Sequence, residues 1–268
     1  MKKVLGFLFI LCLTISSTLS AQENTKLRMA INGEHRPAAD KARDVYRNPY
    51  ETLTFFGIES HFTVIESWPG GGWYTQILAP YLKDEGKLIA ATYDRSETPP
   101  AAFMKSTNTG YDAFLAANPA VYGSVAVTAQ LASETSTLAE PGTVDAILDF
   151  RNAHNWLGSG ADNIISAWHA ALKQGGIVGL VDHRMDADKP SVPGSGYLHE
   201  KQVIDLMESH GFTLAGRSEI NANPRDTKDY AGGVWTLPPN LRRVDDAQRP
   251  MYQAIGESDR MTLKFIKN

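Results

Sequence analysis

The chain has 268 residues, 43% of them hydrophobic, a formal charge of −4 and a single cysteine, Cys12. That hydrophobic share suffices for one sizeable core, and the acidic balance argues against nucleic-acid binding through a basic surface. One cysteine excludes an internal disulfide and a thiolate metal centre.

Lys2 and Lys3 precede an apolar run from Val4 to Ile15, and small residues from Ser16 to Ala21 lead to Gln22. This is the pattern of a secretory signal peptide, with an apolar run too short to favour a membrane-spanning helix. Residues 1–21 are therefore read as a signal peptide cleaved near Ala21, which removes Cys12 and, with Lys2 and Lys3, takes the formal charge to −6. The expected destination is periplasmic or extracellular, and no later segment is apolar enough to span a membrane. Residues 22–33 read as a flexible polar lead-in, and residues 34–268 as one domain.

Arg36, Asp40, Arg43, Asp44 and Arg47 fall on a predicted helix, with Arg36 to Asp40 and Asp40 to Asp44 spaced i to i+4. Such a face is either a solvated one laced with ion pairs or a lid whose charges line a site. From Phe62 the chain reads Phe-Thr-Val-Ile-Glu-Ser-Trp-Pro-Gly-Gly-Gly-Trp-Tyr-Thr. An apolar strand ends in Glu66, a Pro and three glycines turn the backbone, and Ile77, Leu78, Tyr81 and Leu82 open a helix. Glycines let a ligand approach the backbone closely, and the helix start offers free N–H groups.

Further strands are predicted over Gly86–Asp94, Ser124–Thr128, Val144–Phe150, Ile177–Val181, Phe212–Glu219 and Met261–Ile266. Helices are predicted near Tyr111–Ala117, through Ile164 to Leu172, and over His199–His210. The segment from Ile220 to Glu257 has little period, and a loop of that length in a compact domain is more often functional or mobile than regular. Alternating strands and helices imply a largely parallel sheet with helices on both faces, and such sheets bind ligands beyond the carboxyl ends of their strands. Glu66, Asp94, Asp149 and Asp182 stand at those ends.

The glycine turn, carried by Glu66, Gly70 and Gly72, resembles the first motif of the class I S-adenosylmethionine-dependent methyltransferases. Lys173-Gln-Gly-Gly-Ile-Val178 resembles the turn before that family's fifth strand, and Asp259 to Phe265 its last, antiparallel strand. Trp68 to Thr75, Arg43 to Pro49, Val181 to Arg184 and Gly256 to Met261 are similar to a group of predicted exported methyltransferases. Trp68 stands where the general pattern has its first glycine.

The resemblance implies a Rossmann-like α/β fold with a mostly parallel seven-stranded sheet and an antiparallel last strand. It implies S-adenosylmethionine as cofactor and a small-molecule or envelope substrate as methyl acceptor. Gly70, Gly71 and Gly72 would offer backbone N–H groups, and Glu66 would orient the amino-acid end of the cofactor. Asp94 would hold the ribose hydroxyls, with Thr92 where the acid often stands. Trp73 or Trp156 would supply a flat wall, and Asp149 would stand beside the cofactor.

Methyl transfer mainly requires holding donor and nucleophile in line and excluding water. A base is needed only if the acceptor must lose a proton; His154 and His183, on loops after neighbouring strands, could serve, with Asn155 beside them. His154, His183, Asp149 and Asp182 could instead converge on a divalent metal of a hydrolase, although no close histidine pair supports one. A nicotinamide-dependent oxidoreductase would need a small residue where Thr75 ends the glycine turn. A non-catalytic binding module of the same fold is the remaining reading.

Overall fold

The computed structural model describes residues 22–98, 101–158 and 160–268; the signal peptide read over residues 1–21 lies outside them. The strands are β1 (Thr63–Ser67), β2 (Lys87–Thr92), β3 (Ala126–Ala129), β4 (Val144–Phe150), β5 (Leu172–Met185), β6 (Leu198–His199), β7 (Phe212–Ser218) and β8 (Arg260–Lys267). They form one sheet whose main path runs β3-β2-β1-β4-β5-β8-β7, giving the seven expected strands, and the two-residue β6 pairs with β5 off this path. β1 to β5 are parallel, whereas β8 is antiparallel to both its neighbours, β5 and β7.

The sheet's centre is covered on both faces, so consecutive residues of β1, β2 and β4 are buried, not only alternate ones. Alternate residues feed two cores. Ile65, Ile147, Val178 and Phe265 join Trp156 and Trp168 on one side. Val64, Ala146, Leu148 and Val181 meet Leu53, Phe56, Ile77 and Leu78 on the other. This period of two fixes the register, since a slip by one residue would exchange the faces.

Helix α1 covers residues 22–32, where the sequence pattern suggested a flexible lead-in. Leu27, Ala30 and Ile31 have i, i+3, i+4 spacing and are buried. Glu23 clamps the helix by accepting bonds from Ser60 N–H at 2.9 Å, Ser60 Oγ at 2.7 Å and Tyr81 Oη at 2.7 Å. Three short helices follow: α2 (Ala38–Lys41), α3 (Asp44–Arg47) and α4 (Pro49–Phe56). After them come α5 (Thr75–Leu82), α6 (Ala102–Ala117), α7 (Pro119–Tyr122), α8 (Ala153–Trp156), α9 (Ala161–Ala171), α10 (Glu200–Ser209) and α11 (Arg249–Ile255). No helix among the described residues is long and apolar enough to cross a membrane.

Residues 220–257 carry one 3-10 turn, Gly233–Thr236, and α11. The segment is nevertheless anchored. Asn221 Nδ2 donates to Thr52 and Thr262, both at 3.0 Å, and Tyr197 Oη donates to the buried Asp226 at 2.9 Å. It is thereby held across the end of the sheet where β1, β4 and β5 finish and β8 begins.

Candidate active site

Register brings the strand ends together: Ser67 lies beside Asp149, Phe150 beside Val181, and His183 beside Arg260. Above them lies a cavity of about 630 Å³. It is floored by Glu66 to Gly71, walled by Arg43, Arg47 and Trp73, and covered by Trp235, Pro239 and Arg242. Of the charges expected on one helix face, Asp40, Arg43 and Arg47 line this site, whereas Arg36 and Asp44 pair with each other. A broader cleft of about 1900 Å³ lies beside α10 and β7. There Arg184 is paired with Glu219 and Asp259, and Lys228 with Asp186 and Asp259, so these cations are already paired. The strand-end cavity is the one with chemistry to spare.

The turn after β1 is built as the glycines require. Gly70 has φ +57°, and a Cβ at Gly70 or Gly71 would meet nothing within 4 Å, so the backbone there is open to a ligand. Gly72, at φ +82°, serves packing: a Cβ would lie 2.5 Å from the Phe114 ring, and Gly72 does not line the cavity. Glu66 lines the floor, buried, and accepts a 2.6 Å bond from Thr75 Oγ1. Burial pushes its carboxyl up to about 7, with the Thr75 bonds holding it back. Trp73 packs beneath the guanidiniums of Arg47 and Arg36, 4.6 and 5.0 Å from its ring.

Trp68, at φ +40°, holds a left-handed conformation costly for a large side chain. Its indole stacks on Tyr93, with ring centroids 5.0 Å apart, and donates to the Gln130 carbonyl at 3.0 Å. That stack fills the space beside the end of β2. Asp94 does not reach the cavity and accepts the Ser96 N–H at 2.8 Å. Thr92 is also outside it, receiving Arg95 Nε at 2.7 Å.

Asp149 turns into the core beneath the site, accepting Asn152 Nδ2 at 2.9 Å and Trp156 Nε1 at 3.0 Å. Burial pushes it up to about 7 against those bonds, and neighbouring Asp182 adds to the rise. Trp156 is fully buried with it, leaving Trp73 as the wall of the cavity. Asn155 is exposed and outside the cavity, whereas Asn152, which the sequence did not single out, lines it. Asn152 holds the ends of β1 and β4 together by donating to the Ser67 carbonyl at 3.0 Å.

His154 and His183 do meet in the cavity, with ring centroids 5.1 Å apart. His154 Nδ1 lies 2.9 Å from Asp182 Oδ1, and the same carboxylate accepts the backbone N–H groups of His154 and His183. With Asp182 as acceptor, Nδ1 carries a proton, and in the neutral ring the lone pair is then on Nε2. His183 is buried, its Nδ1 2.5 Å from Ser258 Oγ. Burial holds it well below the usual imidazole range, and Arg151, His154, Arg260 and Arg47 press the same way.

One nitrogen or oxygen from each of His154, Asp182 and His183 lies within 4.8 Å of the others. A cation there would face Arg151, Arg260 and Arg47, and the bonds to Asp182 already satisfy the group without one. Arg151, Asn152, Arg242 and Arg260 also line the cavity. The available sequence signals were Arg151-Asn152 directly after an acidic strand end and Arg260 inside the Gly256 to Met261 motif.

The strand order, the antiparallel β8 and a cavity at the glycine turn define the Rossmann-like fold of the class I methyltransferases. Solved structures agree. The chain is similar to an S-adenosylmethionine-dependent methyltransferase from Aquifex aeolicus, with TM-score 0.56 and 15% identity over 91% of this chain and 98% of that one. It is similar to the cyclase SpnF, with TM-score 0.58 and 14% identity over 88% and 84% of the two chains. It is also similar to the glycopeptide N-methyltransferase MtfA complexed with sinefungin, with TM-score 0.53 and 13% identity over 84% and 94%. No family model and no curated protein matches the sequence. At these identities the likeness establishes the fold, and two different chemistries among the neighbours show that the site must argue the rest.

Proposed function

We propose that this chain is an S-adenosylmethionine-dependent methyltransferase, exported, with His154 as the base that deprotonates a small-molecule acceptor. The observation that carries this reading is the open Gly70–Gly71 turn in one cavity with His154, which Asp182 holds from behind. The turn fits the amino-acid end of the cofactor: its backbone is approachable, and buried Glu66 and Gln76 lie beside it. The space by β2 is closed by the Trp68–Tyr93 stack, so the nucleoside end requires Trp68 to move.

When bound, the cofactor supplies an electrophilic methyl carbon on a positively charged sulfur. Asp182 fixes the ring of His154, and Nε2 takes the proton of an acceptor hydroxyl or amine as its lone pair turns nucleophilic. Trp235, 6.0 Å from the His154 ring, and the rest of the cover help exclude water.

Calorimetric titration with S-adenosylmethionine and S-adenosylhomocysteine tests the reading. One site per chain is expected for both, and His154→Asn should retain binding while abolishing turnover. Absence of binding to either compound would overturn it. Binding of both with no turnover on any acceptor pool would favour the binding-module reading.

A further inference from the structure

The geometry points to Arg43, Arg47, Arg151 and Arg260 as an oxyanion-binding site that holds a substrate group of two or more negative charges. Its assignment to the methyl acceptor rests on the methyl-transfer reading above. Four guanidiniums surround one carboxylate. Glu257 accepts Arg43 Nε at 2.8 Å, Arg47 Nε at 3.1 Å and Arg260 Nη1 at 3.2 Å. Burial would raise the Glu257 carboxyl, yet Arg47, Arg260, Arg151 and Arg43 together bring it down to about 2. All four arginines line the cavity, and Glu257 lies behind them.

Asp182 offsets part of the positive excess, its charge acting on Arg151. Of the other acids at the cavity, Glu66 is bonded to Thr75 with its carboxyl pushed up to about 7, and Asp40 accepts Gln76 Nε2 at 2.8 Å. His183, kept neutral and bonded to Ser258, adds no charge. Burial lowers Arg47 to about 9 despite the pull of Glu257, and the neighbouring arginines add to this; it remains charged at neutral pH.

Two donors are unfinished. Arg43 Nη2 and Arg151 Nε are enclosed and have no hydrogen-bond partner among the described residues. Arg151 makes no side-chain bond there, although its backbone is fixed at φ +65° and its N–H is held by the Val181 carbonyl at 2.7 Å. Guanidinium forks match the paired oxygens of phosphate and carboxylate. Four guanidiniums less Glu257 and Asp182 leave two positive charges, so a dianion, either a phosphate monoester or a dicarboxylate, fits best.

The test is titration of the full chain with inorganic phosphate and with malonate in a low-ionic-strength chloride buffer. One-site binding is expected, weakened at least tenfold in Arg151→Gln and unchanged in Arg249→Gln, which lies outside the cavity. Arg43→Gln gives the same readout should Arg151→Gln fold poorly by circular dichroism. Tighter binding of phosphate would identify a phosphate ester, and tighter malonate a dicarboxylate. Binding unchanged by saturating S-adenosylhomocysteine supports the acceptor assignment, whereas competition would overturn it, giving the arginines to the cofactor's own carboxylate. No binding of either anion at tens of millimolar, or equal binding in both cavity variants, would overturn the oxyanion site. If S-adenosylhomocysteine fails to bind while Arg151-dependent phosphate binding persists, the methyl-transfer reading falls and the oxyanion site stands.

Discussion

Replacing Glu257 with Gln leaves the buried guanidiniums of Arg47 and Arg260, and the partly exposed one of Arg43, without their shared counter-charge. The side chain of Glu257 is 3% exposed, so solvent screens little of the effect. Its carboxyl stands near 2, against 4.5 for an ordinary glutamate, which by linkage corresponds to about 3 kcal/mol at neutral pH. Breaking a buried ion pair from one side costs roughly 3–5 kcal/mol, the same scale. Urea unfolding at pH 7 should therefore show Glu257→Gln less stable by about 3 kcal/mol. The sign with pH is fixed: a depressed carboxyl contributes fully above its unfolded value and loses that contribution as pH falls through the folded one. The gap between wild type and variant should then narrow between about pH 4.5 and pH 2. A gap below about 1 kcal/mol at pH 7, or one that does not change across this window, would refute a cluster held by Glu257.

Glu66, raised to about 7, behaves in the opposite sense: stability falls as pH climbs from its unfolded value near 4.5 past 7. Glu66→Gln keeps an acceptor for Thr75 and should be the more stable form at pH 8, with no advantage at pH 4, in denaturant melts at both pH values. Gly71→Ala meets open space and should leave the melting temperature unchanged while weakening S-adenosylhomocysteine, whereas Gly72→Val, forced against Phe114 at φ +82°, should destabilise the fold by about 1–3 kcal/mol or more. Equal melting of the two variants would contradict these separate roles. Trp68→Gly should tighten S-adenosylhomocysteine, because the ligand no longer has to displace the stack on Tyr93 and the bond to Gln130. An unchanged dissociation constant in calorimetry would mean that Trp68 does not stand in its way.

The sheet was legible because its strands are buried on both faces. Val144–Phe150 is β4 residue for residue, since a mostly apolar run, broken by Asp145 and Asp149, stops where Arg151 turns to a positive φ. Helix α1 was missed because its apolar stripe is only three residues set among polar ones, and it shows as a face only once packed into the core with Leu53, Ile58 and Leu82. Strand-end acids were visible as a set but not by role. Glu66 and Asp149 follow the same kind of strand, yet one floors the cavity and the other is spent on Trp156 and Asn152. Which face an acid takes depends on register, which composition does not contain. The arginine cluster was illegible for a different reason: Arg43 and Arg260 come from opposite regions of the sequence and meet only through the sheet.

Glu257 joins Arg43 and Arg47 across 214 and 210 positions of chain, immediately before a strand that inserts between β5 and β7. The binding pocket is therefore a property of the whole assembled sheet, with no local fragment able to preform it. Contacts of such long range favour slow, concerted folding. An anion seated on the arginines would then bind only the completed structure and stabilise it by mass action. Amide exchange should slow together in α3 and along β8, making ligand occupancy a reporter of global cooperativity and not of one loop's mobility.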